Sequence, residues 1–385
     1  MLAYCTNVHA GAGLTQYWKN LERHALGVKR RFSPDRPMGI GLWFSANAAR
    51  ELWDGGELPR FRAWLAEHGL SPFTFNAFPH GDFHDTVVKH RVYLPTWMES
   101  ARAEYTIRIA DIQHSLLAEG LEGSISTLPI AWGDPPLSAA QLDHAAENLR
   151  GVARYLHALE ERTGRLIHVA LEPEPGCVFT YAADIVRFFQ DHLLCGQSPA
   201  DEKIIRRHLR VCHDVCHAAV MFEDQADVLQ KYAAAGIQIG KFQISAAVRA
   251  AFDELPACGP EREAAIDQLR AFNEPRYLHQ TVVRRNGQTT YYNDLPAALA
   301  AESDAPFGEW RTHFHVPIYL ERFGRLQSTQ DEIVNCLAAA KKYTDCRHYE
   351  VETYAWSVLP AELQVGELAE GIAREMAWAA EKCDC

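Results

Sequence analysis

The chain has 385 residues, of which 48% are hydrophobic and 23% charged. This is the composition of a folded protein with a large core, and it excludes a disordered one. With 38 basic against 50 acidic residues the formal net charge is −12, and the densest basic run, Lys29-Arg30-Arg31, is short, so no nucleic-acid partner is expected.

The start, Met1-Leu2-Ala3-Tyr4-Cys5-Thr6-Asn7, has neither the basic nor the long apolar region of a secretory signal. No apolar run approaches the ~18 residues of a membrane-spanning helix. A cytoplasmic protein with no stable membrane insertion is the expectation. The ten cysteines are scattered, several in apolar contexts such as Cys5, Cys177 and Cys212, which suits reduced buried thiols.

Eight short apolar runs read as strands: Leu2–Thr6, Gly39–Phe44, Pro72–Asn76, Gly123–Leu128, Ile167–Leu171, Leu209–Asp214, Gln238–Ile244 and Arg347–Glu352. Helical periodicity fills most of the gaps, as in Ala46–Trp53 with Leu58–His68, Arg102–Leu117, Ser138–Thr163, Ala183–Leu193, Ala226–Ala234 and Ser328–Lys342. Ser45 and Ser138 are candidate N-caps, Ser328 with Asp331 is a weak capping box, and Gly69 and Gly164 stand where helices should stop. Alternating strands and helices imply parallel βαβ units, and eight of them imply a (β/α)₈ TIM barrel. An open doubly wound sheet would usually carry a glycine-rich phosphate turn, and His9-Ala10-Gly11-Ala12-Gly13 is a poor match to one. The long gap before the eighth strand holds an insertion, about 272–320. In it Tyr277–Val283 and Thr289–Tyr292 flank a hairpin turn at Asn286-Gly287, and Thr312–Ile318 reads as a further strand. The expected arrangement is one barrel domain over 1–385, with the insertion as a decoration of its mouth.

Function in a parallel barrel gathers where strands end. Strand five ends in Leu171-Glu172-Pro173-Glu174, strand six in His213-Asp214-Val215-Cys216-His217, strand seven carries Lys241 and Gln243 on one face, and strand eight carries Glu350 and Glu352 on one face. Within the insertion, His313 and His315 form an H-x-H pair. Asn76 and His80 follow strand three. Unpaired charges are costly in a dry pocket, and a divalent ion resolves the conflict among Glu172, Asp214, Gln243 and Glu352. His315 competes with Gln243 as a ligand. Mixed oxygen and imidazole donors suit Mn, Fe, Co, Zn or Mg. The choice between Glu172 and Glu174, and between Glu350 and Glu352, stays open.

These motifs resemble the xylose-isomerase-like barrel superfamily, which includes sugar and sugar-phosphate isomerases and epimerases and endonuclease IV. Leu171-Glu172-Pro173 is similar to the metal glutamate motif of its fifth strand, and Asp214-Val215-Cys216-His217 to its D-x-x-H motif. Gln243 stands where the isomerases use His or Gln, and Glu352 at the final metal glutamate. His313-Phe314-His315 with Pro317 resembles the D-x-H element of endonuclease IV, with His in place of Asp. Across its length the chain is most similar to EboE-type proteins, metabolite-traffic proteins linked to export of secondary metabolites. The stretches that carry this are Tyr4-Cys5-Thr6-Asn7, Gly123-Ser124-Ile125-Ser126-Thr127, Leu171-Glu172-Pro173-Glu174-Pro175-Gly176, Glu274-Pro275-Arg276-Tyr277-Leu278-His279-Gln280, His313-Phe314-His315-Val316-Pro317 and Glu350-Val351-Glu352-Thr353-Tyr354.

The resemblance implies a divalent-metal-dependent isomerase or epimerase acting on a small hydroxy-carbonyl or sugar-like metabolite. Glu172 and Glu352 would be the acid–base pair, and His217, Lys241, His313, Asn76 and His80 would hold the substrate. Metal-dependent phosphoester hydrolysis of the endonuclease IV type is the second expectation. A non-catalytic metabolite-binding or traffic protein, with Trp356, Tyr354 and Phe78 as an apolar wall, is the third. A homo-oligomer is compatible with all three.

Overall fold

In a computed structural model, residues 1–256, 258–301 and 306–383 are described. Eight parallel strands, Leu2–Tyr4, Met38–Trp43, Leu70–Asn76, Gly123–Thr127, Ile167–Leu171, Leu209–Asp214, Ile239–Ile244 and Tyr349–Val351, form one sheet. Each pairs with its sequence neighbour from the second to the seventh, the eighth inserts between seventh and first, and Cys5 bridges to Gly41 of the second, so the sheet curls into a (β/α)₈ barrel. The strands are buried almost throughout, as a sheet covered by helices and filled inside requires.

Local chemistry sets the element boundaries. Ser45 caps the helix Ala46–Asp54 by accepting from Ala48 N–H at 3.1 Å, and Ser138 and Gln141 form a capping box on Ala139–Thr163. Gly164 ends that helix with φ +70°, a left-handed conformation that costs glycine nothing. Ser328 is not the cap expected of it, because it ends a strand and Thr329 holds the N-cap position of Gln330–Tyr343.

The insertion is larger than the sequence suggested. Val248–Ala251, Thr281–Arg285, Gln288–Tyr292, Glu309–Thr312, Arg322–Phe323 and Leu326–Ser328 make a six-stranded antiparallel sheet. The hairpin turns at Asn286-Gly287 as expected. The strand anticipated at 312–318 instead ends at Thr312, and His313 to Ile318 continue as irregular chain towards the barrel. Residues 302–305 of the anticipated insertion lie outside the described residues. Val88 and Lys89 N–H donate to Arg276 O, and Lys89 pairs with Asp294 at 2.6 Å, so the segment after strand three and the insertion roof the mouth together.

The barrel interior is polar as well as apolar. Lys241 and Glu350 form a fully buried ion pair below the mouth, and Lys241 Nζ also lies 3.4 Å from Phe75 O and Ser126 Oγ. Gly41 makes room for it, since a Cβ there would meet Glu350 Oε1 at 1.5 Å. Lys241→Met would leave Glu350 charged and unpaired inside the barrel. It is expected to cost about 3–5 kcal/mol in urea unfolding, with most of the loss recovered when Glu350→Met is added.

Candidate metal centre at the barrel mouth

Four strand ends deliver the chemistry. Glu172 directly follows strand five, Asp214 ends strand six, Gln243 lies on strand seven in register with Asp214, and Glu352 directly follows strand eight. Glu172, Asp214 and Glu352 each bring a carboxylate oxygen within 4.8 Å of the other two, and all three are buried. Asp214, His217 and His315 converge in the same way.

Each side chain is aimed by a specific bond. Asp214 Oδ1 accepts from His217 N–H at 3.0 Å and from Ser245 Oγ at 2.8 Å, which leaves Oδ2 free. Glu352 Oε1 accepts from Asn7 Nδ2 at 2.6 Å and Asn76 Nδ2 at 3.0 Å. His315 Nδ1 donates to Glu352 O at 2.7 Å, so its Nε2 presents a lone pair 4.0 Å from Asp214 Oδ2. From behind, Glu375 of the helix Leu368–Cys383 holds the Glu352 loop by accepting from Thr353 Oγ1 and Trp356 Nε1, and the H-x-H segment by accepting from Ile318 N–H.

The test of a metal ion is what these atoms lack. Glu172 Oε2, Asp214 Oδ2, both amide atoms of Gln243 and His315 Nε2 are buried with no protein partner. Native interiors seldom orphan so many polar atoms at one point. A divalent cation fits the set, since it supplies the one charge type the pocket lacks and accepts carboxylate, amide and imidazole donors alike.

The electrostatics say the same. Burial, then the Glu352 and Asp214 charges, push Glu172 well above the ordinary carboxylate range; burial, then Asp214 and Glu350, do the same to Glu352. Burial would also push Asp214 up, but the His217 and His315 imidazoles and its two hydrogen bonds outweigh it and hold it low.

A second cluster adjoins the first. His217 Nδ1 donates to Pro173 O at 2.8 Å and His313 Nδ1 donates to Gln280 Oε1 at 2.8 Å, while their Nε2 atoms stand 3.2 Å apart. With both Nδ1 hydrogens committed, two lone pairs face each other. Glu174 lies beside them, accepting from Tyr93 Oη at 2.8 Å and Gln280 Nε2 at 3.2 Å.

Among the residues the sequence singled out, Glu172, Asp214, Glu352, His217, His313, His315 and Asn76 come together, and Gln243 lies level with Asp214 on the neighbouring strand with its amide buried and partnerless. Two do not. Lys241 is spent on Glu350 beneath the mouth. His80 packs edge-on against Tyr105 at 4.9 Å and lines a separate shallow cavity with Asp82 and Arg91. Trp356 turns its indole N–H to Glu375 and is not part of the cavity wall, whereas Tyr354 and Phe78 are. Glu350, offered as a rival to Glu352, belongs to the ion pair below. Glu174, offered as a rival to Glu172, joins the second cluster instead, and Asn7, Tyr93 and Gln280 are residues the sequence did not single out for the site. Asn7 follows strand one and had a positional signal; Tyr93 and Gln280 come from distant loops and had none.

No family model and no curated protein matches the chain. Solved structures do. A xylose isomerase-like TIM barrel protein from Mycobacterium smegmatis, in complex with magnesium, is 11% identical over 99% of this chain and 96% of that one, with a TM-score of 0.55. The IOLI protein with a bound zinc atom is 12% identical over 100% of this chain and 98% of that one, with a TM-score of 0.50.

Two tests follow. The metal-free protein should lose stability as pH rises from the ordinary glutamate value of 4.5 through the raised values of Glu172 and Glu352, because the fold favours their protonated forms. A divalent ion at a hundredfold excess over its Kd should return about 2.7 kcal/mol at neutral pH and nothing in acid, read as a melting shift. Glu172→Gln should stabilise the metal-free protein at neutral pH and weaken uptake of the ion about 100-fold or more, by calorimetry. A variant less stable without metal would contradict the charge-repulsion account. In its architecture the chain has the fold of the xylose isomerase-like TIM barrels.

Proposed function

We propose that this protein is a divalent-metal-dependent isomerase or epimerase-like enzyme acting on a small metabolite with adjacent hydroxyl and carbonyl oxygens. The observation that carries the reading is the set of buried, partnerless donor atoms on Glu172, Asp214, Gln243 and His315, beside Glu352. Bound there, the ion would supply Lewis-acid polarisation of the carbonyl.

The protein's own residues would do the rest. Glu172 and Glu352 directly follow strands five and eight, three places apart round the barrel, so one could remove a proton beside the carbonyl and the other return it. Without the ion, burial and the neighbouring carboxylates raise the proton affinity of both, which marks them as candidates for proton transfer. Asn7 and Asn76 orient Glu352 through its Oε1. His217 and His313, on the cavity wall, are placed to hold substrate oxygens. The magnesium and zinc of the two structural neighbours support a hard or borderline ion here.

The sequence motifs add that the metabolite belongs to secondary metabolism or its export, as in EboE-type proteins. The free, buried thiols of Cys5, Cys177, Cys212, Cys216 and Cys336 support a cytoplasmic site of action, and among the described residues no helix is long and apolar enough to cross a membrane.

One observation favours a second reading. Two imidazole lone pairs at 3.2 Å, with Glu174 adjacent, suit a second cation, and two ions are the apparatus of phosphoester hydrolysis. Elemental analysis separates the two: one ion per chain for the isomerase, two or more for the hydrolase.

A panel of hydroxy-ketones and sugars incubated in D₂O with the metal-loaded protein, read by NMR, tests the first reading. Deuterium should enter beside the carbonyl, and Glu172→Gln or Glu352→Gln should slow this at least about 100-fold. Saturable binding without exchange in any member of the panel would identify a carrier instead.

A further inference from the structure

The cavity that leads to the candidate metal centre has two unlike ends. About 550 Å³ of empty space, open solvent included, lies between its walls. Its inner end carries the polar groups already described. Its outer end is walled by Phe78, Phe83, Val88, Tyr277, Leu278 and Tyr354.

These rings form one continuous surface. Phe83 lies 5.1 Å from Tyr277 and 5.3 Å from Tyr354, and Tyr277 and Tyr354 meet edge to face at 5.0 Å. Tyr354 also tilts over His315 at 4.7 Å, so the wall reaches the metal-facing imidazole. Two polar tips are turned aside: Tyr277 Oη donates to Phe83 O, and Tyr93 Oη, further in, to Glu174. Apart from the Tyr354 hydroxyl, what these wall residues offer a ligand is ring face and aliphatic surface. A polyol tail would leave hydroxyls without partners there.

Charge narrows the class further. Lys89 is the one lysine or arginine among the described residues lining the cavity, and its ammonium is held by Asp294 at 2.6 Å. A phosphate group would find no free cation beside the apolar wall, and carboxylates at the inner end would repel it.

Resting on the metal-dependent reading above, we infer that the ligand is amphiphilic: an oxygenated head carrying adjacent hydroxyl and carbonyl groups, and an uncharged, flat apolar tail of aromatic size. An open-chain sugar and a sugar phosphate are the classes this wall disfavours.

Two probes that share a head and differ in tail test it. 2-Hydroxyacetophenone and dihydroxyacetone both carry an α-hydroxyketone, the first with a phenyl ring and the second with a hydroxymethyl group. In calorimetric titration of the Mn²⁺-loaded full chain, the phenyl ketone should bind at least about tenfold more tightly. Phe83→Ala should erase most of that preference and leave dihydroxyacetone unchanged. Val92→Trp, at the partly buried rim, should block the phenyl ketone while the melting temperature shows that the variant is folded. Equal or tighter binding of dihydroxyacetone to the loaded protein overturns the inference. Should elemental analysis of the same sample show no bound ion, the metal-dependent reading fails by itself. Acetophenone, which lacks the hydroxyl, then decides the tail on the metal-free protein: saturable binding lost in Phe83→Ala and Val92→Trp sustains it, and absence of binding overturns it.

Discussion

Negative charge crowded into a dry space is the constraint around which this molecule is organised. Three carboxylates meet at the barrel mouth within 4.8 Å of one another. Such a group is stable only if protons, hydrogen-bond donors or a cation offset it. The donors are visible in the surroundings. Asn7 and Asn76 donate to Glu352, a serine and a backbone amide donate to Asp214, and imidazoles face the centre from two sides. A deeper carboxylate, Glu350, still raises the proton affinity of Glu352 above it, and its partner Lys241 offsets part of that burden.

The insertion belongs to the same solution. A barrel alone provides strand ends on a ring, open to water on top. Here the antiparallel sheet brings His313 and His315 back over the ring and, with the segment after strand three, closes apolar surface around it. Water exclusion strengthens every electrostatic interaction inside the cavity. Glu375 contributes from the far side by gripping the two loops that carry Glu352 and His315. The candidate metal centre is therefore assembled from barrel, insertion and C-terminal helix, and none of the three presents it alone.

Much of this was legible in the residues. Ile167–Leu171 and Leu209–Asp214 are continuous apolar runs ending in acid, the mark of a strand buried on both faces that ends at a functional mouth. The helices that escaped notice have weaker signatures. Leu14–Asn20 and Leu26–Phe32 are joined through a π-helical turn that breaks the 3.6-residue period, and Pro199–His208 is mostly charged. The insertion was underestimated because Val248–Ala251 is short and follows strand seven almost at once. Lys241 and Gln243 share strand parity, so only depth in the barrel separates a residue spent on an ion pair from one facing the mouth. Glu174 looked like a rival of Glu172, whereas the turn after strand five places it beside His217 and His313.

The eighth strand has a consequence for how the protein comes into being. Tyr349 pairs with Leu2 on one side and Phe242 on the other, so the last strand made is the one that seals the first. During synthesis the chain must carry two unpaired parallel edges while the whole insertion is still emerging. Exposed edges of that kind invite pairing with other chains, and closing contacts so distant in sequence form slowly. The insertion thus has a second effect besides roofing the cavity: it lengthens the interval in which the nascent barrel keeps both edges unpaired.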